Sequence, residues 1–549
     1  MHARTLRRRL ALASVAALAA AMAPLTAGQP AAAAPAPAKM HMDCSKGSFL
    51  CAEVADSEEV FGEGVYVGHD EPATTFYDNR AGAGNNATYL VRLPKDPPTL
   101  PKQDGTGGTF NFQLHPAFWL GMALCDNQSA PEFTHAPCKA DSDTNIFDGA
   151  DPNAADYIGK HPGTAFLEVQ FYPPGWVPFV NAISCDATKW CAAMAIFSLS
   201  QDQNHGVVNN ADCLGRAGVE PANFAFITKN GKPHAPPSPL AATTATFTPS
   251  AATDLFMGSG DQIAVNIRDS RDGLRVDMAD LSARQAGSMT ASVANQFAQI
   301  NFDPAAATCT ESPYAFRPMY SSSSEHTRVP WAAHTYNVSF SDEIGHFEYC
   351  DAVASEGGAC TKPGGADRGN PPDGDDAGCF SGATSLRVKV GGCTSTENDF
   401  DGTSYQKDWP GSTTPGKDRR LHPQAIQFSS PVFNGFHRYS RVGFEADLPR
   451  IEAADTQDPR FPPCNRTTGA NCVNPPMGAN FYPLYTTRES EVAGCRWQLG
   501  GANIPGTTNT FGGTSTTEFG ALLPSVYPGV GGPVTRINNF RRILDHNPC

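Results

Sequence analysis

The chain has 549 residues with 40 Lys+Arg against 55 Asp+Glu, a formal net charge of −15 with no basic patch, which argues against nucleic acid and anionic membrane surfaces as partners. It is longer than one core normally supports, so two or more domains are expected. With 51 glycines, 46 prolines and little helical periodicity, the expectation is an all-β protein with many loops.

Arg4, Arg7, Arg8 and Arg9 precede an apolar run over residues 10–22, too short to span a bilayer but suited to a signal peptide ending at the small-residue pattern Ala36-Pro37-Ala38. Residues 1–38 are therefore read as a leader and the protein as secreted and extracellular. Removing the four leader arginines from −15 leaves −19 for the secreted form. No later segment is apolar enough to predict a membrane span. The sixteen cysteines all lie beyond the leader and are even in number, which fits an oxidising compartment and a disulfide-stapled fold. Nearest-neighbour pairing gives Cys44–Cys51, Cys125–Cys138, Cys185–Cys191 and Cys464–Cys472, although connectivity is not fixed by sequence. There is no CxxC pair to indicate a zinc ribbon or a thioredoxin-like site.

Residues 39–59 form a short N-terminal stapled segment. In the first domain expected, residues 60–350, strand patterns fall at 89–93, 110–114, 165–172, 192–197 and 224–228. The clearest hairpin spans 260–279: Ile263, Val265 and Ile267 point one way, a polar turn follows, and Leu274, Val276 and Met278 point the same way, as on the inner face of a β-sandwich. Residues 331–350 predict another. His334, Tyr336, Val338 and Phe340 alternate along one face, a turn carries Asp342 and Glu343, and His346, Glu348 and Cys350 share a face of the returning strand. Such a hairpin keeps His334 and His346 roughly 20 Å apart at ~3.4 Å per residue. The local cluster is then Asp342, Glu343, His346 and Glu348, fit for acid–base work or for a cation; the competing reading is a solvated turn with a structural histidine.

Other polar clusters sit at predicted strand ends. His69, Asp70 and Glu71 follow an apolar triplet, and loops at strand ends commonly carry catalytic groups. Glycoside cleavage needs two carboxyls about 5–10 Å apart, so one of this pair would act with a distant partner. His115 and Trp119 join a polar residue to an aromatic wall and are candidates for substrate binding. Asp141, Asp143, Asn145 and Asp148 place oxygens as at the start of a calcium loop, without the glycine and glutamate of an EF-hand; calcium is the cofactor expected, and a solvated acidic loop the alternative.

Residues 351–378 are rich in Gly, Pro and Asp and read as a boundary. Residues 379–549 then form a second domain, again strand-like, in which Tyr405 and Trp409 could stack on sugar rings. The architecture expected is two antiparallel, jelly-roll-like β-sandwich domains. No GxSxG, HExxH or P-loop motif is present.

The segments GHDEP, HPAFW, YPPGW, NFAFITKNG, SDEIGHFEYC, DFDGTSYQKDWPG and IPGTTNTFGG resemble a group of uncharacterised secreted proteins from actinobacteria and filamentous fungi, over most of the mature chain. The resemblance implies export and brings no catalytic residue with it. Two functions are expected from the residues. One is a hydrolase of an extracellular polysaccharide, using carboxylate and histidine acid–base chemistry with possible metal assistance. The other is a non-catalytic glycan-binding or surface-associated protein. If residues 141–148 hold calcium, chelation will lower the melting temperature; an unchanged midpoint retires that site.

Overall fold

The computed structural model describes residues 73–95, 117–128, 138–140, 163–174, 185–318, 335–341, 350–353, 360–363, 426–446, 485–488, 496–499, 523–527, 534–544, 547 and 549, less a few positions inside these ranges. The principal strands, in chain order, are β1 (Ala73–Tyr77), β2 (Asn86–Arg92), β3 (Ala117–Asp126), β4 (Gly163–Tyr172) and β5 (Lys189–Ser198), then β6 (Ala222–Phe226), β7 (Gln262–Arg268), β8 (Leu274–Asp280), β9 (Gln285–Ala291) and β10 (Thr335–Ser341). Five more follow: β11 (Gln427–Ser429), β12 (Arg441–Ala446), β13 (Tyr485–Arg488), β14 (Arg496–Leu499) and β15 (Phe540–Leu544). The protein is all-β. Its described α-helix, Ala211–Ala217, is a short piece capped by Asn210, which accepts from the Cys213 amide. No helix among the described residues is long and apolar enough to cross a membrane.

The strands build two large antiparallel sheets. The first runs β15-β12-β1-β10-β3-β4-β5-β6, and the second β9-β8-β7-β2-β11-β14-β13, each with two short strands off the main path. Period-2 alternation supplies a buried face for each. In β4, Ala165, Leu167, Val169 and Phe171 are fully buried; in β7 and β8, Ile263, Val265, Ile267, Leu274, Val276 and Met278 are at most 1% exposed. These faces meet in one apolar core. The ring of Phe76 from β1 lies 6.3 Å from Phe428 and 5.6 Å from Trp497, across the two sheets.

The 260–279 hairpin forms as read from the sequence. Its turn needs Gly273, at φ +139°, where a Cβ would sit 2.2 Å from the Ala291 carbonyl oxygen. The strand in 331–350 also forms, but both its edges are taken, by β1 and by β3. It has no free edge for a returning strand, and Cys350–Val353 pairs instead with Cys360–Pro363.

Strands from before residue 351 and after residue 378 lie side by side. β12 pairs with β1, and β11 pairs with β2. The described strands therefore do not sort into one sandwich on each side of the Gly/Pro/Asp-rich stretch. Side-chain contacts reinforce the join: Tyr439 donates to the Ala83 carbonyl at 2.6 Å, and the Ser440 amide donates to Asp78 at 3.0 Å. Of the four disulfides expected, Cys125–Cys138 and Cys185–Cys191 are present, and the other two lie outside the described residues. Cys213–Cys309 bridges 96 residues, a pairing that proximity in sequence does not reveal.

Phe76→Ala is expected to cost about 3–5 kcal/mol in a denaturant titration, because it empties a site shared by both sheets. A loss below about 1 kcal/mol would contradict this packing.

Candidate functional site

The sheet register brings together strand ends that the sequence scatters over some 270 residues. Ala73 of β1 faces Ser339 of β10, and Ser341 of β10 faces Ala117 of β3. Phe118 then faces Phe171, one residue before the end of β4. One end of four adjacent strands therefore collects the start of β1, the end of β10, the start of β3 and the end of β4.

His69, Asp70, Glu71, His115, Asp342, Glu343, His346 and Glu348 lie outside the described residues, but several adjoin this rim in sequence. Glu71 comes two residues before Ala73, His115 two before Ala117, and Asp342 directly after Ser341. Tyr405, Trp409, Asp141, Asp143, Asn145 and Asp148 also lie outside the described residues, without such a link.

Trp119 sits inside β3, not on a loop, and is 5% exposed. Its cross-strand partners are Ser339 on one side and Gln170 on the other. The outward face of β4 carries Phe166, Glu168, Gln170 and Tyr172. Tyr172 donates to Gln170 Oε1, and Gln170 Nε2 donates to Glu168 Oε2 at 2.5 Å, a polar ladder along every second residue towards the rim. Glu168 is paired in register with Gly121 and Ala195, so the smallest side chains flank the carboxylate on both neighbouring strands. Sequence reasoning identified the strand but passed over Glu168, Gln170 and Tyr172. The available signal was Glu168 and Gln170, two long polar side chains inside a mainly apolar ten-residue strand.

The described histidine–carboxylate pair is structural. His234 Nδ1 lies 2.8 Å from Asp254 Oδ1, and Nε2 lies 3.0 Å from the Ala245 carbonyl. With an acceptor at each ring nitrogen, the site fits the doubly protonated ring. The hydrogen bond to Asp254 raises the His234 pKa above the ordinary histidine range, against the opposing effect of burial. The imidazole also stacks on Phe226 at 5.7 Å and so pins the segment that covers the outer face of β5 and β6. Burial likewise raises the Asp261 carboxyl; the Gly258 amide opposes this, and neighbouring Asp280 adds to the rise. Asp280 is occupied as a turn acceptor for the Ser282 and Ala283 amides. Among the described residues no three His, Cys, Asp or Glu side chains group as a metal site.

Comparison with models of known families, with curated proteins and with solved structures finds no match.

A raised histidine pKa adds stability below the unfolded value of ~6.5 and loses it as pH rises through the folded value. His234→Ala should therefore destabilise by roughly 1.5–3 kcal/mol at pH 5, the range for a hydrogen bond to a charged group, and by less as pH rises. A difference constant from pH 5 to 9 in thermal melts would show that the ring acts by packing alone.

Proposed function

We propose that the protein is secreted and hydrolyses an extracellular polysaccharide at the rim formed by β1, β10, β3 and β4. The observation that carries this reading is the register of β1 against β10. It sets the strand end that follows His69-Asp70-Glu71 beside the strand end that precedes Asp342-Glu343. Strands in a sheet are ~4.8 Å apart, so carboxyls leaving neighbouring strand ends can reach the roughly 5–10 Å separation that glycoside cleavage uses. Two carboxylates adjacent in sequence could not readily do so.

In this proposal one carboxyl from the 70–71 pair and one from the 342–343 pair divide the work. One protonates the glycosidic oxygen, and the other activates water or attacks the anomeric carbon. The Glu168–Gln170–Tyr172 ladder fixes a polar strip along β4 towards this rim. The leader pattern and the disulfides support export. Calcium at Asp141, Asp143, Asn145 and Asp148 would be a structural addition to this scheme.

Glu71→Gln and Asp342→Asn are each expected to lower reducing-end release from the hydrolysed polysaccharide by about 10²–10⁴-fold, with an unchanged melting temperature. Turnover equal to wild type in both variants would sink the assignment. Retention on a glycan column with no product from the wild type would establish the non-catalytic binding role in its place.

A further inference from the structure

The outward face of the second sheet differs in character from the rest of this acidic chain. Register places Arg92, Arg268, Arg275 and Arg496 on it, with Asp277 as its carboxylate among the described residues. Arg268 and Arg275 are committed to Asp277, at 3.0 and 2.7 Å. Arg92 differs from these two: it is exposed and forms no ion pair among the described residues.

Its surroundings are shaped. Gln262 faces Arg92 from β7, and Gln427 faces it from β11. β11 pairs with β2 only at Gln427 and Phe428. The next β2 amide, Leu90, donates instead to Ser429 Oγ at 2.8 Å, before pairing resumes at Thr88↔Val432. This break opens a groove beside the sheet ladder, lined by Leu90, Arg92, Gln262, Gln427, Phe428 and Arg496. The row Gln262–Arg92–Gln427 crosses three strands, about 10 Å at ~4.8 Å per step, a length suited to a chain rather than to one small anion.

We propose that this groove binds a carboxylate-bearing polysaccharide, with the Arg92 guanidinium gripping a uronate carboxylate and the flanking glutamine amides meeting its hydroxyls. The planar fork of arginine matches a carboxylate through two parallel hydrogen bonds. Amides both donate and accept, as sugar hydroxyls do. Arg92 shares this face with Arg268 and Arg275, against Asp277 alone among the described residues, which makes the face locally positive and complementary to a polyanion, although the chain as a whole carries −15 and would repel one. The site lies on the opposite sheet from the hydrolytic rim and does not depend on it.

The test is electrophoresis of the full secreted chain through native gels containing polygalacturonate, an uncharged glucan or dextran sulfate. The wild type should be retarded by polygalacturonate and pass the uncharged glucan freely. Arg92→Gln should bind polygalacturonate about tenfold more weakly or worse, as for a lost charge-assisted hydrogen bond, with its melting temperature unchanged. Glu71→Gln should be retarded like the wild type, which separates this binding from hydrolysis. Equal retardation of wild type and Arg92→Gln would overturn the proposal, as would free passage of the wild type. Dextran sulfate retarding the wild type as strongly as polygalacturonate would reduce the groove to unspecific cation exchange and overturn it too.

Discussion

The packing of Phe76 against Phe428 and Trp497 is the contact on which the architecture turns. Phe76 comes from the first described strand of the chain, and its two partners come from more than 350 residues later. A buried aromatic contributes a large apolar area, and these three rings bridge the two sheets at the point where early and late strands alternate. If that contact were lost, β1 would keep its backbone ladder but lose its anchor to the second sheet.

The placement of β1 has a functional consequence. It lies between β10 and β12, so both its edges are paired. Its register against β10 is tied to which residues face the core, because a one-residue slip would turn Phe76 outward. The same register sets the start of β1 beside the end of β10. Core packing and the assembly of the proposed hydrolytic rim are thus one constraint. The second sheet solves a different problem: its outward face keeps its charges satisfied around Asp277 and leaves Arg92 exposed beside the break in pairing at Ser429.

Local periodicity made several elements readable. Ile263, Val265 and Ile267 alternate cleanly, as do Ala165 through Phe171, and both strands formed where the pattern placed them. The disulfides Cys125–Cys138 and Cys185–Cys191 close loops short enough to be inferred from spacing. Pairing partners were not readable, since β1 meets strands more than 250 and 360 residues away, and a five-residue strand Ala-Thr-Thr-Phe-Tyr carries almost no pattern of its own. Trp119 stands out in the sequence as an aromatic beside His115, whereas its burial inside β3 follows only from the strands on either side. The polar clusters were visible as compositions; that the strand ends next to them in sequence share one rim required the sheet order. Arg92 gave no signal, because a lone arginine acquires meaning only from its neighbours across the ladder.

The most direct test of this account is whether the two parts of the chain unfold as one. Scanning calorimetry of the full-length protein, with its disulfides intact, compares the calorimetric enthalpy with the van 't Hoff enthalpy. Sheets shared by β1, β2, β11 and β12 predict a single transition with the two enthalpies equal. Two separable transitions, one of them reproduced by residues 379–549 expressed alone, would contradict it.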